Sequence, residues 1–122
     1  MVLNIDIAPT LLALAGLPVP ESCQGRSLVP LLRAEPVCWR RDFLCEHHFA
    51  HPGIPKSEGL RTEKWKYFRY YQEEPPYEAL YDLETDPGER TNLAADPASA
   101  PQLQRLRVRC DQLIRASAPA NS

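Results

Sequence analysis

No run of residues in this chain is apolar enough to cross a membrane, and no excess of one charge invites nucleic acid. Sixteen acidic residues stand against 14 basic ones, a formal net charge of −2, and the basic residues are spread along the sequence. Their closest run, Arg105, Arg107 and Arg109, falls on an expected helix, so neither nucleic acid nor an anionic membrane is an expected partner. The first residues lack the succession of basic segment, apolar stretch and small-residue cleavage site, so no signal peptide is expected in this chain. The four cysteines, Cys23, Cys38, Cys45 and Cys110, lie 15, 7 and 65 positions apart, and none forms a C-x-x-C pair. A zinc site is therefore not expected. Three full disulfide pairings stay open, but buried thiols are the simpler expectation, because free cysteine packs as a small core residue. There is no internal repeat.

What is present points to a small globular fold. At 43% hydrophobic and 25% charged, 122 residues make one small domain. Such a domain buries roughly two-thirds of the surface its unfolded chain exposes. Thirteen prolines, most of them where elements should start or stop, favour a compact, irregular fold with short connections.

Asp6 opens an expected first helix, with Ile7, Leu11 and Leu14 on one face and Leu12 and Ala15 widening it. The Asp6 carboxylate is placed to cap the free N–H groups, Pro9 is tolerable in the first turn, and Gly16 with Pro18 supplies the stop. Leu28 to Leu32 suits one helical turn within a loop. Strands are expected at Phe43–Phe49, Gly59–Thr62, Trp65–Tyr71 and Ala79–Leu83, the middle pair joined by a Glu63-Lys64 hairpin turn. A final helix follows from the spacing of Leu103, Leu106, Cys110, Leu113 and Ile114, with Ser99 and Gln102 three apart as a capping box. The tail from Ala116 to Ser122 reads as frayed. The pattern predicts an α+β fold, a small antiparallel sheet of about four strands packed against a C-terminal helix.

Four blocks of residues carry a family resemblance. Asn4 to Pro18, with Asp6, Pro9, Thr10, Leu11, Leu12, Ala15 and Gly16 in place, resembles the "D-x-x-P-T-L-L-x-x-A-G" helix of sulfatases. Gln24 to Leu28 with Pro30-Leu31-Leu32 is similar to their "Q-G-R-S-L-x-P-L-L" stretch, and Arg61-Thr62 with Lys66-Tyr67 to their "R-T-x-x-x-K-Y" hairpin. Leu80 to Leu83, Asp86-Pro87, Glu89 and Asn92-Leu93 match the "L-Y-D-L-x-x-D-P-x-E-x-x-N-L" ending, with Ala79 where many members carry Glu. The resemblance implies the terminal subdomain of an alkaline-phosphatase-like α/β enzyme. Residues 1–34 would end the catalytic domain, and 35–122 would form the C-terminal subdomain. The implied parent cleaves sulfate esters, such as those of sulfated carbohydrates, using calcium and a formylglycine. Enzymes of this kind are often exported.

The chemistry itself is absent from these residues. None of the four cysteines starts a "C/S-x-P/A-x-R" motif, and no acidic cluster supplies the converging oxygens that a hard cation needs. No catalytic residue, metal ligand or bound cofactor is therefore expected in this chain, and the implied partner is a missing N-terminal catalytic domain. Because the resemblance begins almost at Met1, with nothing upstream to receive Ile7, Leu11 and Leu14, the chain reads as a fragment that exposes an apolar patch. A free-standing binding or structural module, or a fragment of a phosphate or phosphonate ester hydrolase, are the alternatives.

Three residues are candidates for contact with substrate. Glu46-His47-His48, with His51 beyond, resembles a metal cluster, but adjacent histidines on a strand point to opposite faces. The resemblance implies instead that His47 or His48 borders a substrate pocket, against the plainer reading of surface histidines. Arg61 is suited to an anion and equally to a carboxylate within the sheet, the simpler reading. Trp65, Tyr67, Tyr70 and Tyr71 read as aromatic core, with Trp65 and Tyr67 against the final helix. Asp82 and Asp86 bracket a turn and are expected to bond their own backbone.

Overall fold

A computed structural model describes residues 1–117, and the chain separates into two compact units, Met1–Arg40 and Arg41–Ser122. In the first, a 3-10 turn at Asn4–Asp6 runs into α1, Ile7–Leu14, and a short α2, Val29–Leu32, follows a loop. The expected stop after α1 is realised. Gly16 adopts φ 71°, and the Leu17 N–H donates to the Leu12 carbonyl at 2.9 Å.

The expected cap is not realised. The Asp6 side chain makes no cap bond to α1. It accepts instead from the N–H groups of Leu3 and Arg26, each at 2.8 Å, and from both terminal nitrogens of Arg40, Nη2 at 2.7 Å. The reason is burial. Asp6 is fully enclosed, and an enclosed carboxylate needs a cation and several donors more than a helix end needs a cap. Thr10 completes the knot, its hydroxyl donating to the Asp6 carbonyl at 2.5 Å and accepting from the Leu28 N–H at 2.9 Å. Gly25 must be glycine here, because a Cβ would stand 1.9 Å from the Ile5 carbonyl oxygen.

The apolar stripe of α1 is left in solvent. Ile7, Leu11 and Leu14 are 56%, 61% and 61% exposed, whereas Pro9 and Thr10 are buried.

The second unit is a four-stranded antiparallel sheet in the order β1 (Asp42–His47), β2 (Ser57–Thr62), β3 (Trp65–Tyr70), β4 (Tyr77–Asp82). The strands sit where expected, with shifted ends. β1 stops at His47 rather than Phe49 because His47 pairs with Ser57, the first residue of β2. β4 starts at Tyr77 rather than Ala79 because it pairs with Tyr70 at the end of β3. The Glu63-Lys64 turn lacks Asn-Gly chemistry but is closed by Thr62, whose hydroxyl accepts from the Trp65 N–H at 2.8 Å.

Leu44, Leu60, Tyr67 and Leu80 lie in register across the four strands. Onto them pack Leu103, Leu106 and Cys110 of α3, Ala100–Ser117, with Trp65, Leu113 and Ile114 at the margin. This is the α+β arrangement the spacing predicts. The capping box of Ser99 and Gln102 is replaced by Asp96, which accepts from the Ala98 N–H at 3.0 Å and the Ser99 hydroxyl at 2.9 Å across a 3-10 turn, Pro97–Ser99. Proline in that turn moves the cap upstream. Of the expected frayed tail, Ala116 and Ser117 continue α3, and the remainder lies outside the described residues. All four cysteines are free thiols; Cys110 is buried as expected, but Cys38 and Cys45 are exposed and Cys23 only half-buried.

Two outcomes follow from the first unit. The Arg40 guanidinium, helped by the Arg26 and Leu3 N–H groups and opposed by burial, lowers the Asp6 pKa to about 2 from 3.8. A depressed carboxylate stabilises above its unfolded pKa, and that stability is lost as pH falls from about 4 through about 2, roughly 2 kcal/mol in all. Fluorescence of Trp39 in a Trp65→Phe background should report this acid transition, and Asp6→Asn should destabilise the unit at neutral pH and flatten it. Separately, the exposed stripe should drive self-association; sedimentation velocity should show larger species that Leu11→Glu with Leu14→Glu converts to monomer.

Candidate functional site

Strand alternation sorts the side chains of the second unit onto two faces. The face toward α3 holds the ion pairs. Arg69 Nη2 lies 2.6 Å from Glu58 Oε1 and 2.7 Å from Asp111 Oδ1, Arg109 Nε lies 2.6 Å from Asp42 Oδ2, and Arg107 grips Glu78 through two nitrogens. The Tyr67 hydroxyl donates to Glu78 at 2.7 Å. Contact with Arg107 keeps the Glu78 carboxyl below its ordinary range, and burial pushes the Tyr67 hydroxyl up. Sequence reasoning passed over Glu58, Glu78 and Asp111, because pairing across a sheet and helix leaves no local signature.

On the opposite face Cys45, His47, Ser57, Lys66, Phe68 and Tyr70 line a shallow depression of about 290 Å³. His47 stands here at the end of β1, with its Nε2 shielded from solvent and without a hydrogen-bond partner among the described residues. Arg61 shares this face by alternation, opposite Phe43 and Lys66. Three residues of β2 separate it from Ser57, so His47 and Arg61 lie toward opposite ends of one surface.

Arg61 corrects the simpler expectation. Among the described residues it has no ion pair and is exposed, because alternation turns the sheet carboxylates Asp42, Glu58 and Glu78 toward α3. Its neighbour Lys66 is compensated by Glu89 at 2.5 Å. Among the described residues, Arg61 is an uncompensated cation on this surface.

His48 belongs elsewhere. Its Nε2 lies 3.2 Å from Glu46 Oε1 and its Nδ1 3.1 Å from the Tyr71 hydroxyl. Since a carboxylate only accepts, these partners assign Nε2–H as donor, and in the neutral ring Nδ1 accepts from Tyr71. Both ring nitrogens are thus engaged in fastening the end of β1 to the end of β3. His51 forms a separate bridge with Ile54. Among the described residues, no three His, Cys, Asp or Glu side chains converge as metal ligands.

The aromatic expectation divides. Tyr67 is core, and Trp65 packs beside it. Tyr70 instead stacks on Tyr77, with ring centroids 5.1 Å apart, next to Phe68 on the helix-free face, and Tyr71 faces His48. Phe68, Tyr77 and Tyr81 were not singled out, although period-2 alternation from Tyr67 already places Phe68 on the other face. The residues of the closing motif serve the fold. Asn92 Oδ1 accepts from the Leu80 N–H at 3.0 Å and its Nδ2 donates to the Glu78 carbonyl at 3.0 Å, satisfying the edge of β4. Asp82 and Asp86 bond nearby backbone N–H groups, as expected.

A four-stranded sheet closed by a C-terminal helix, preceded by the Asp6 helix, is the architecture of the C-terminal portion of the sulfatase family. The chain belongs to the family described as N-sulphoglucosamine sulphohydrolase, C-terminal, whose profile matches residues 1–116. It is 35% identical over 116 residues to the Delta 4,5-hexuronate-2-O-sulfatase of Bacteroides thetaiotaomicron, covering 93% of this chain and 24% of that protein. A protein solved in complex with its substrate D-glucosamine-2-N,6-O-disulfate has a TM-score of 0.80 at 27% identity, over 95% of this chain and 25% of that one. The phosphonate monoester hydrolase of Agrobacterium radiobacter has a TM-score of 0.75 at 29% identity, over 91% and 24%. The chain spans about a quarter of the length of each of these relatives.

The charge on the helix-free face is open to measurement through Cys45. Although the residue is exposed overall, partial desolvation of its sulfur raises the thiol pKa, and the nearby charges of Lys66 and Arg61 oppose that rise. Arg61→Ala should therefore slow alkylation of Cys45 roughly two-fold at pH 8. Cys110, pushed up to about 12 by burial, should react only on unfolding. An unchanged Cys45 rate in the variant counts against a free cation at Arg61.

Proposed function

We propose that this chain is the C-terminal part of an enzyme that hydrolyses sulfate esters of a sulfated carbohydrate. The family match across residues 1–116, together with relatives about four times as long, carries the reading. Residues 1–34 then end the catalytic domain and 35–122 form its terminal subdomain. Formylglycine and calcium in the parent would supply the nucleophile and the electrophilic aid. The residues of this chain do not fit either group, since the "C/S-x-P/A-x-R" motif is missing and no carboxylates converge among the described residues, so no step of the reaction runs through them.

What this chain contributes is packing and one wall of the substrate pocket. Arg61 is the strongest of the three candidates, because an exposed guanidinium without an internal partner is free to take a sulfate or carboxylate through paired N–H bonds. His47 lies on the same face, but its shielded Nε2 reaches a ligand only when its neighbours shift. His48 holds the end of β1 against Tyr71 and shapes the wall rather than touching the ligand.

A second reading, hydrolysis of phosphonate or phosphate esters, is favoured by the similarity to the Agrobacterium hydrolase. The DNA preceding this chain should encode an in-frame "C/S-x-P/A-x-R" segment, and the longer product should cleave sulfated glucosamine. In that product Arg61→Ala should raise KM about ten-fold and change kcat less, the loss of one charge-assisted contact. Turnover of phosphonate esters without any sulfate ester hydrolysis replaces the first reading with the second.

A further inference from the structure

The two outer edges of the sheet, β4 and β1, are finished differently. The edge of β4 is taken up by the segment that follows it. Asn92 bonds the Leu80 N–H and the Glu78 carbonyl, and the Leu93 N–H donates to the Leu80 carbonyl at 2.8 Å. The edge of β1 has no such cover. Among the described residues of this unit, its backbone bonds to β2 alone. Alternate residues of a strand turn their N–H and C=O groups away from the neighbour, so β1 presents a row of unanswered donors and acceptors. Proteins commonly blunt such an edge with proline, lysine or a bulge. β1 has none of these: Asp42, Phe43, Leu44, Cys45, Glu46 and His47 pair one to one with β2, from Asp42 with Thr62 to His47 with Ser57.

The strand that suits this edge is β1 itself. Two copies meet antiparallel about a two-fold axis normal to the sheet, which sets residues of the same face opposite each other. Two registers bring five residues of each β1 together. Centred on Leu44, the pairing opposes Asp42 of each copy to Glu46 of the other, like charges facing at both ends. Centred on Cys45, it opposes Leu44 to Glu46, Phe43 to His47 and Cys45 to its own counterpart, and no like charges face. The helices leave room for it. α3 packs on β1, β2 and β3, and so lies over β2. At about 4.8 Å per strand the two α3 helices then stand about 14 Å apart, wider than the roughly 10–12 Å of one helix.

We infer that β1 is a self-pairing edge, to which a second copy of this chain adds its own β1 in the register centred on Cys45. The product is a continuous eight-stranded antiparallel sheet with both α3 helices on one face. Backbone hydrogen bonds hold it, with little side-chain burial, so the pairing is weak and forms toward millimolar rather than micromolar concentration. It is separate from association through the α1 stripe, and a Leu11→Glu, Leu14→Glu chain that sediments as a monomer when dilute still pairs when concentrated. The inference does not depend on which ester the parent hydrolyses.

Cys45 reports the register. In the Leu11→Glu, Leu14→Glu chain carrying Cys23→Ser and Cys38→Ser, it is the exposed thiol that remains, Cys110 being buried. Directly opposed Cα atoms of an antiparallel pair stand about 4.5–5.5 Å apart, within the roughly 4.4–6.8 Å that a disulfide spans. Two Cys45 thiols and one oxidised glutathione should therefore yield a Cys45–Cys45 dimer and two glutathione thiols. The dimer should form about ten-fold faster than from Glu46→Cys with Cys45→Ser, whose thiol faces Leu44 of the second copy. Amide hydrogen exchange with all thiols reduced gives a second reading. As the chain is concentrated, the β1 N–H groups not bonded to β2 should gain about five-fold protection, while the closed edge of β4 stays unchanged. Equal cross-linking from positions 45 and 46, or β1 amides indifferent to concentration, overturns the inference. So does a longer gene product in which Cys45 no longer cross-links, since the preceding portion of the parent then covers the edge. Neither reading involves catalysis, so a longer product without sulfatase activity removes the proposed function and leaves the self-pairing edge standing.

Discussion

A buried phenol must have its hydroxyl answered, and the second unit is organised around how Tyr67 meets that demand. Its ring is 1% exposed at the centre of the sheet, and its hydroxyl donates to Glu78 on the neighbouring strand. Glu78 could not remain charged there alone; Arg107 of α3 neutralises it through two nitrogens. One chain of contacts therefore fixes the register of β3 on β4 and the position of the helix over both. The driving force lies elsewhere. Burying Leu60, Leu80, Leu103 and Leu106 contributes on the order of 6–12 kcal/mol at about 1.5–3 each, against roughly 1.5–3 for a hydrogen bond to a charged group. Burial drives the helix onto the sheet, and the Tyr67–Glu78–Arg107 contacts select where it lands.

The first unit solves a similar problem with less apolar material. Its buried polar residues are Asp6 and Thr10, and every short element is tied to one of them. Asp6 gathers the turn at Leu3, the loop at Arg26 and the chain at Arg40; Thr10 gathers Leu28. Two motif blocks separated by a loop are thus two halves of one hydrogen-bonded knot. Their residue types follow from the geometry. A serine or asparagine at position 6 could not neutralise Arg40, and any side chain at position 25 would strike the Ile5 carbonyl.

The parts of the fold that were legible in the sequence are those written in local periodicity. α1, the four strands and α3 each carry a run of apolar spacing, and each is present, with ends moved by one or two residues where pairing partners set the limit. Caps were misplaced for one reason. Asp6 and Ser99 were assigned to the nearest helix end, whereas Asp6 answers Arg40, 34 positions away, and Ser99 donates to Asp96 upstream of the proline turn. The site was legible only as a set of residue types. That His47 and Arg61 share a face, that His48 is spent on Glu46 and Tyr71, and that Arg61 has no ion pair among the described residues are consequences of strand register. Register depends on pairings that no single strand encodes.

This division has a consequence for how function is carried. Many polar and aromatic residues of the four motif blocks are occupied by the fold: Asp6 and Thr10 in the knot, Tyr67 in the core, Lys66 with Glu89, Asn92 at the edge of β4. Residues that identify a chain are therefore not the ones that act for it. Within the second unit, Arg61 is a motif residue whose side chain the fold leaves without an ion pair among the described residues, on the face that also leaves its aromatic rings part-exposed. A cation held ready without an internal partner costs little at an exposed strand position, and a like-charged neighbour is tolerable only because Glu89 compensates Lys66. The same pairing that steadies Lys66 thus leaves Arg61 free. The helix side of the sheet is committed to stability, and the opposite side is where this chain can do something for a larger enzyme.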